Sequence, residues 1–115
     1  QHPEAYTRFR TDDPDYVLPG GESHRQHYDR NVAFFEAYAR DNPGTTAALV
    51  AHGGVLDSVF RFLAQLPLDQ PRCYLVPNTS LTIVKHGRFY GTLRWVMETW
   101  GDVGHLKGIA QPSGL

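Results

Sequence analysis

The sequence predicts an α/β fold with a sheet of mixed direction, and three observations carry that prediction. Residues 23–41 hold apolar side chains at helical spacing, and residues 45–66 read as strand, glycine turn and helix. The chain from Cys73 to Trp100 is rich in β-branched and aromatic residues broken by turn signals. One βα unit followed by antiparallel strands requires a sheet that mixes directions.

The elements follow in order. Pro3 to Phe9 has room for one or two helical turns, with Pro3 suited to a first helical position. Thr11-Asp12-Asp13-Pro14-Asp15 reads as a polar turn and Leu18-Pro19-Gly20-Gly21 as a loop. Ser23 and Gln26 then have capping-box spacing, in which hydroxyl and amide satisfy the free backbone groups of a helix start. Tyr28, Val32, Phe35 and Ala39 form the helical stripe, widened by Phe34 and Tyr38, until Asn42-Pro43-Gly44 ends it. Thr45 to Ala51 is an almost wholly apolar run, as in a strand covered on both faces. It leads into His52-Gly53-Gly54 and a second helix with Val55, Val59, Phe62, Leu63 and Leu66 as its apolar stripe. Asp57, Arg61 and Gln65 are assigned to the opposite, polar face, and Pro67 stops the helix. Cys73–Val76 is a short predicted strand, followed by a break at Pro77-Asn78-Thr79. Ser80–Lys85 and Phe89–Trp100 form a predicted hairpin turning at His86-Gly87. Gly108 to Leu115 is a tail without periodicity.

Length and composition narrow the class. With 115 residues the chain fits one small domain, 1–115. Its 41% hydrophobic and 20% charged residues describe a folded, water-soluble protein. A formal net charge of −1 argues against nucleic-acid binding by counterion release. No run approaches the roughly 18 apolar residues of a membrane span, and no signal-peptide pattern opens the chain. The single Cys73 excludes an internal disulfide, so a cytoplasmic location is expected.

Two features predict a segment of a longer protein. The chain opens on Gln1-His2-Pro3-Glu4, without an initiator methionine, as a cut segment would; a tag remnant and a processed mature protein are the alternative readings of this start. A strand buried on both faces also needs neighbours on both sides, and the residues before Ser23 supply none. An exposed edge on so apolar a strand invites pairing with another chain, so a homodimer or swapped association through that edge is expected if nothing else covers it.

The chemistry centres on Val50-Ala51-His52-Gly53-Gly54. Ligands of open α/β sheets bind beyond the carboxyl ends of the strands. A helix start there offers free N–H groups and the positive end of a dipole to an anion. Gly53 and Gly54 let backbone approach that anion without a side chain between them. His52 stands at the mouth as a donor or cation whose charge changes near neutral pH. The competing reading is a strand-end histidine with a local hydrogen bond.

The ordered segments PGGES, an amphipathic helix, LVAHGGVLDSVFRFL, PNTSLTIV and WGDVGHL resemble the histidine phosphatase superfamily over about residues 3–106. The nearest likeness is to its phosphoglycerate mutase-like and broad-specificity phosphatase branch. The resemblance implies a three-layer αβα fold, here truncated at its N-terminus, and phosphoryl transfer from a small phosphomonoester through phosphohistidine. It implies no metal or organic cofactor. It makes His52 the catalytic histidine that stabilises the transferring group, with Gly53 adding an N–H and Asn78 on a loop near the pocket; Glu22 reads as a helix-start or pocket-rim residue rather than as the family's proton donor. The attacking histidine belongs to an R-H-G motif, which this chain lacks: Arg25-Gln26-His27 and Arg88-Phe89-Tyr90 do not match it. The nucleophile, two phosphate-clamping arginines and the usual acidic proton donor lie in the family's earlier segments, so the chain alone is expected to be inactive.

The remaining candidates read as structural. His24 and His27 stand one helical turn apart without a third ligand, as solvated first-turn side chains. The resemblance gives His105 and Asp102 architectural places near the last strand. Asn78-Thr79-Ser80 matches a glycosylation sequon by coincidence. Trp95, Met97 and Trp100 read as core, and Cys73 has no activating partner. A phosphoglycerate mutase and a non-catalytic anion-binding or self-associating module are the alternatives to a phosphatase, and a metal hydrolase on the histidines ranks below both.

Overall fold

The computed structural model describes residues 13–17 and 19–108. The predicted turns at Pro3–Phe9 and nearly all of the C-terminal tail lie outside the described residues. Two helices, α1 (His24–Asp41) and α2 (Gly53–Ala64), precede two strands, β1 (Leu81–Phe89) and β2 (Thr92–Asp102), and a 3-10 turn at Gly104–Leu106. The chain divides into two compact units, Gln1–Pro71 and Arg72–Leu115.

Helix α1 starts where the capping box places it. Ser23 Oγ accepts from Gln26 N at 3.0 Å, and Gln26 Oε1 accepts from Ser23 N at 2.8 Å. Such a cap contributes about 1 kcal/mol. Asn42 closes the far end, its backbone N–H and its side-chain amide both donating to Tyr38 O, at 3.0 and 3.1 Å. Before the helix, the Pro14-Asp15 turn is tied to α1 by Arg25, whose backbone N–H donates to Pro14 O and whose Nε donates to Asp15, both at 2.8 Å.

The predicted strand at Thr45–Ala51 does not form. This stretch has no strand partner among the described residues, and Leu49 is 60% and Val50 103% exposed. Strand geometry gains stability only from a neighbour's hydrogen bonds and side chains. Without one, β-propensity leaves an irregular segment. The same reason removes the predicted strand at Cys73–Val76, which is also irregular.

Helix α2 ends on Gln65 in the left-handed region (φ 56), with Leu66 N donating to Arg61 O at 3.0 Å before Pro67. Its packing against α1 reverses the sequence expectation. Asp57, Ser58 and Arg61, with exposures of 1%, 0% and 3%, form the buried face, whereas Val55, Phe62, Leu63 and Leu66 are half-buried. Gly54, Asp57, Ser58 and Arg61 follow the i, i+3, i+4, i+7 spacing of a single helix face. Among the described residues, Val59 and Leu68 are the buried apolar side chains. The best-sealed part of this unit is therefore polar.

In the second unit, β1 and β2 form an antiparallel pair from Leu81↔Asp102 to Phe89↔Thr92, with register shifts near Ile83. The turn is Tyr90-Gly91, with His86 and Gly87 inside β1 opposite Trp95 and Arg94. Tyr90 (φ 55) and Gly91 (φ 82) both take positive φ, as a two-residue type I′ connection requires. A β-strand at Lys85–Phe89 satisfies its backbone against β2, and this outweighs the turn signal of His86-Gly87. Trp95, Met97 and Trp100 are half-buried rather than sealed, with Trp100 Nε1 donating to Leu75 O at 2.9 Å.

Candidate functional site

His52 is the N-cap of α2 (φ −108, ψ 171), and its extended backbone turns into the helix at Gly53. Its carbonyl accepts from Val55 N and Leu56 N at 3.1 and 3.2 Å, so the first turn is closed by backbone alone. The imidazole makes no capping hydrogen bond and is exposed. The N–H groups of Gly53 and Gly54 precede the first donor of that turn and have no hydrogen-bond partner among the described residues. A Cβ on Gly53 would meet nothing within 4 Å, whereas one on Gly54 would stand 3.5 Å from His27 Cε1. Among the described residues, the helix start thus holds N–H groups without a partner beside an exposed histidine, and the positive end of a helix dipole at such a start favours an anion.

Below this opening lies a buried polar seam between the two helices. Asn31 Nδ2 donates to Ser58 Oγ at 3.0 Å, and Ser58 Oγ donates to Gly54 O at 3.4 Å. The same amide nitrogen stands 3.3 Å from each ring nitrogen of His27. One turn further along, Asp57 Oδ2 accepts from Arg61 Nε at 2.9 Å and lies 3.3 Å from His24 Nε2, while Arg61 NH1 donates to Pro67 O at 2.5 Å. His24 and His27 are therefore not solvated first-turn side chains but the α1 side of this seam. Asn31, Asp57, Ser58 and Arg61 are not among the residues that the sequence points to, because polar side chains on a helix read as exposed. Their signal was the pair of matching stripes, 24-27-31 and 54-57-58-61, at helical spacing. Among the described residues no group of three His, Cys, Asp or Glu side chains is placed to hold a metal ion.

Glu22 sits immediately before the N-cap of α1, where its Oε1 accepts from Arg30 NH2 at 2.7 Å. This hydrogen bond, aided by the Arg30 charge, holds the Glu22 carboxyl below its ordinary range and raises Arg30 in turn. A carboxylate so held is a poor proton donor at neutral pH. Asn78 belongs to the second unit, in the turn before β1; it is exposed, and its amide makes no hydrogen bond among the described residues. Thr79 beside it takes φ 56, and its carbonyl accepts from His105 Nε2 at 2.9 Å. His105 thus has the architectural role expected of it, and Asp102 accepts from Gly104 N at 2.8 Å in the turn after β2. Of the four predicted site residues, the structure brings His52 and Gly53 together at one helix start.

The start of α2 thus bears a histidine and two glycines without a side-chain cap, and comparison with known proteins gives the chain a family. The sequence profile of the histidine phosphatase superfamily (branch 1) matches residues 1–102. The chain belongs to that superfamily. It is 32% identical over 110 residues to the metal-independent phosphoserine phosphatase of Arabidopsis thaliana, covering 95% of this chain and 43% of that protein. It is 31% identical to the phosphoglycerate mutase-like protein 4 of the same plant, covering 91% of this chain and 44% of that protein. It is 32% identical to the probable phosphoglycerate mutase GpmB of Cronobacter sakazakii, covering 84% of this chain and 46% of that protein. The chain spans less than half the length of these curated relatives. No solved structure matches it. No helix among the described residues is long and apolar enough to cross a membrane.

Proposed function

We propose that this chain supplies the His52–Gly53 half of a phosphate pocket in an enzyme that transfers phosphate from small phosphomonoesters through phosphohistidine. The observation that carries the reading is the start of α2, where His52 is exposed and the N–H groups of Gly53 and Gly54 have no hydrogen-bond partner among the described residues. Charge that develops on the equatorial oxygens of a transferring phosphoryl group is stabilised by fixed donors of this kind. Because the sequence holds no R-H-G, the attacking histidine comes from a segment outside residues 1–115. On this reading residues 1–115 are the C-terminal part of one phosphoglycerate mutase-like domain of three layers, with a mixed sheet that takes in Thr45–Ala51. The exposure of Leu49 and Val50 supports that placement, since an apolar run of this kind is covered in a finished sheet.

Glu22, ionised by Arg30, is proposed as a rim acceptor for a substrate hydroxyl or ammonium rather than as a phosphate ligand. Asn78, in the second unit, is proposed as a substrate-binding residue on the family resemblance alone. Water completes the cycle in a phosphatase, and a second substrate hydroxyl does so in a mutase. The names of the relatives support both outcomes, and phosphoserine and phosphoglycerate are both small phosphomonoesters. No cofactor enters this scheme, and the location we infer is cytoplasmic.

The test is turnover of a small phosphomonoester by a protein that joins this chain to an R-H-G segment. His52→Ala is expected to lower kcat by about 10²–10³-fold, the effect of removing one transition-state donor. Near-parent turnover would remove His52 from the mechanism. A second reading, self-association through Thr45–Ala51, is supported by the same exposed apolar segment. Equilibrium sedimentation of the chain reads it directly, and a monomer at high concentration speaks against it.

A further inference from the structure

We propose that Asn31 and Ser58 are positioning residues for the phosphate site, setting the start of α2 against α1; this rests on the reading of His52 and Gly53 given above. Ser58 reaches the site only through the carbonyl of Gly54, and Asn31 reaches it only through Ser58 and His27. Asn31 (8% exposed) and Ser58 (fully buried) form a hydrogen-bonded chain from the middle of α1 through Ser58 Oγ to the carbonyl of Gly54, in the first turn of α2. His27 braces the same turn from α1, its Cε1 within ordinary contact of the space above Gly54. The first turn of α2 has no side-chain cap to fix it from its own end. Its place is therefore set from the other side, through a buried bond whose donor and acceptor are on different helices. Buried polar links of this sort specify one arrangement because any slippage leaves their groups unpaired. A slip between α1 and α2 would move the N–H groups of Gly53 and Gly54 together with His52.

The experiment titrates the 115-residue chain with inorganic phosphate and follows the amides of Gly53 and Gly54 by NMR. Ser58→Ala, Asn31→Leu and the double variant are compared with the parent at matched thermal stability. Each single variant is expected to weaken phosphate binding about two- to tenfold, the span of one hydrogen bond. The double variant is expected to be no weaker than the worse single one, since both changes break the same link. If either single variant fails to fold, the other answers the question. Parent-like affinity in the folded variants, or losses that simply add, would overturn the inference while leaving the site intact. Absence of any saturable shift in the parent chain would instead overturn the phosphate site, and this inference with it.

Discussion

Asp57 and Arg61 form an ion pair at 2.9 Å inside the protein, with side-chain exposures of 2% and 3%. Desolvating both charges costs several kcal/mol each, and the pair is tolerated because Asp57 also faces His24 while Arg61 reaches Pro67 O. Removing one member leaves the other buried and uncompensated. Asp57→Ala is expected to cost about 3–5 kcal/mol, enough to unfold a marginal domain. Urea denaturation measures this, and a loss below about 1 kcal/mol would mean that the pair opens to water in solution.

The cap of α1 gives a smaller and more local prediction. Ser23→Ala removes the acceptor for Gln26 N and is expected to cost about 1 kcal/mol. Amide exchange would show the loss concentrated in the first turn of α1. Uniform loss across both units would contradict a cap effect.

The capping box and the extent of α1 were legible in the sequence because both are local: Ser23, Gln26 and the apolar stripe lie within a few turns of one another. The glycine start of α2 after His52 was legible for the same reason. What failed was non-local. Thr45–Ala51 has the composition of a buried strand, yet composition cannot supply the neighbour that makes one. Asp57 and Arg61 were assigned to solvent as an i,i+4 surface pair, because their burial depends on His24 and Asn31 lying on a facing helix. At the hairpin the expected turn was His86-Gly87, and cross-strand pairing places it at Tyr90-Gly91 instead.

That choice can be tested. Tyr90 is 90% exposed at φ 55, where a bulky side chain is disfavoured and Asn is not. Its ring stands 5.8 Å from the Arg94 guanidinium, an exposed contact of about 0.5–1 kcal/mol at most. Tyr90→Asn is therefore expected to leave the hairpin as stable as before or slightly more so, whereas Gly91→Ala, at φ 82, is expected to cost about 1 kcal/mol. Thermal melts of the two variants report the order, and the reverse order would displace the turn.

The Glu22–Arg30 pair makes stability depend on pH in one direction. Arg30 depresses the folded-state pKa of Glu22, so the unfolded state takes up the proton first as pH falls. The contribution is fully present above the ordinary glutamate range and is lost as pH drops through the lowered value. The pair is exposed, so the effect is small. The gap between the parent and Glu22→Gln is expected to be present at neutral pH and to close in acid. A gap that widened toward acid would contradict the pair.

The start of α2, at His52 and the glycines after it, is where phosphate is proposed to meet this chain. Titration with inorganic phosphate, followed by two-dimensional NMR on all assigned amides, tests it most directly. Saturable shifts are expected to be largest at Gly53, Gly54 and Val55 and to be strongly weakened in His52→Ala. Shifts centred elsewhere, on Arg25 or Arg72 for example, or unchanged by His52→Ala, would contradict it.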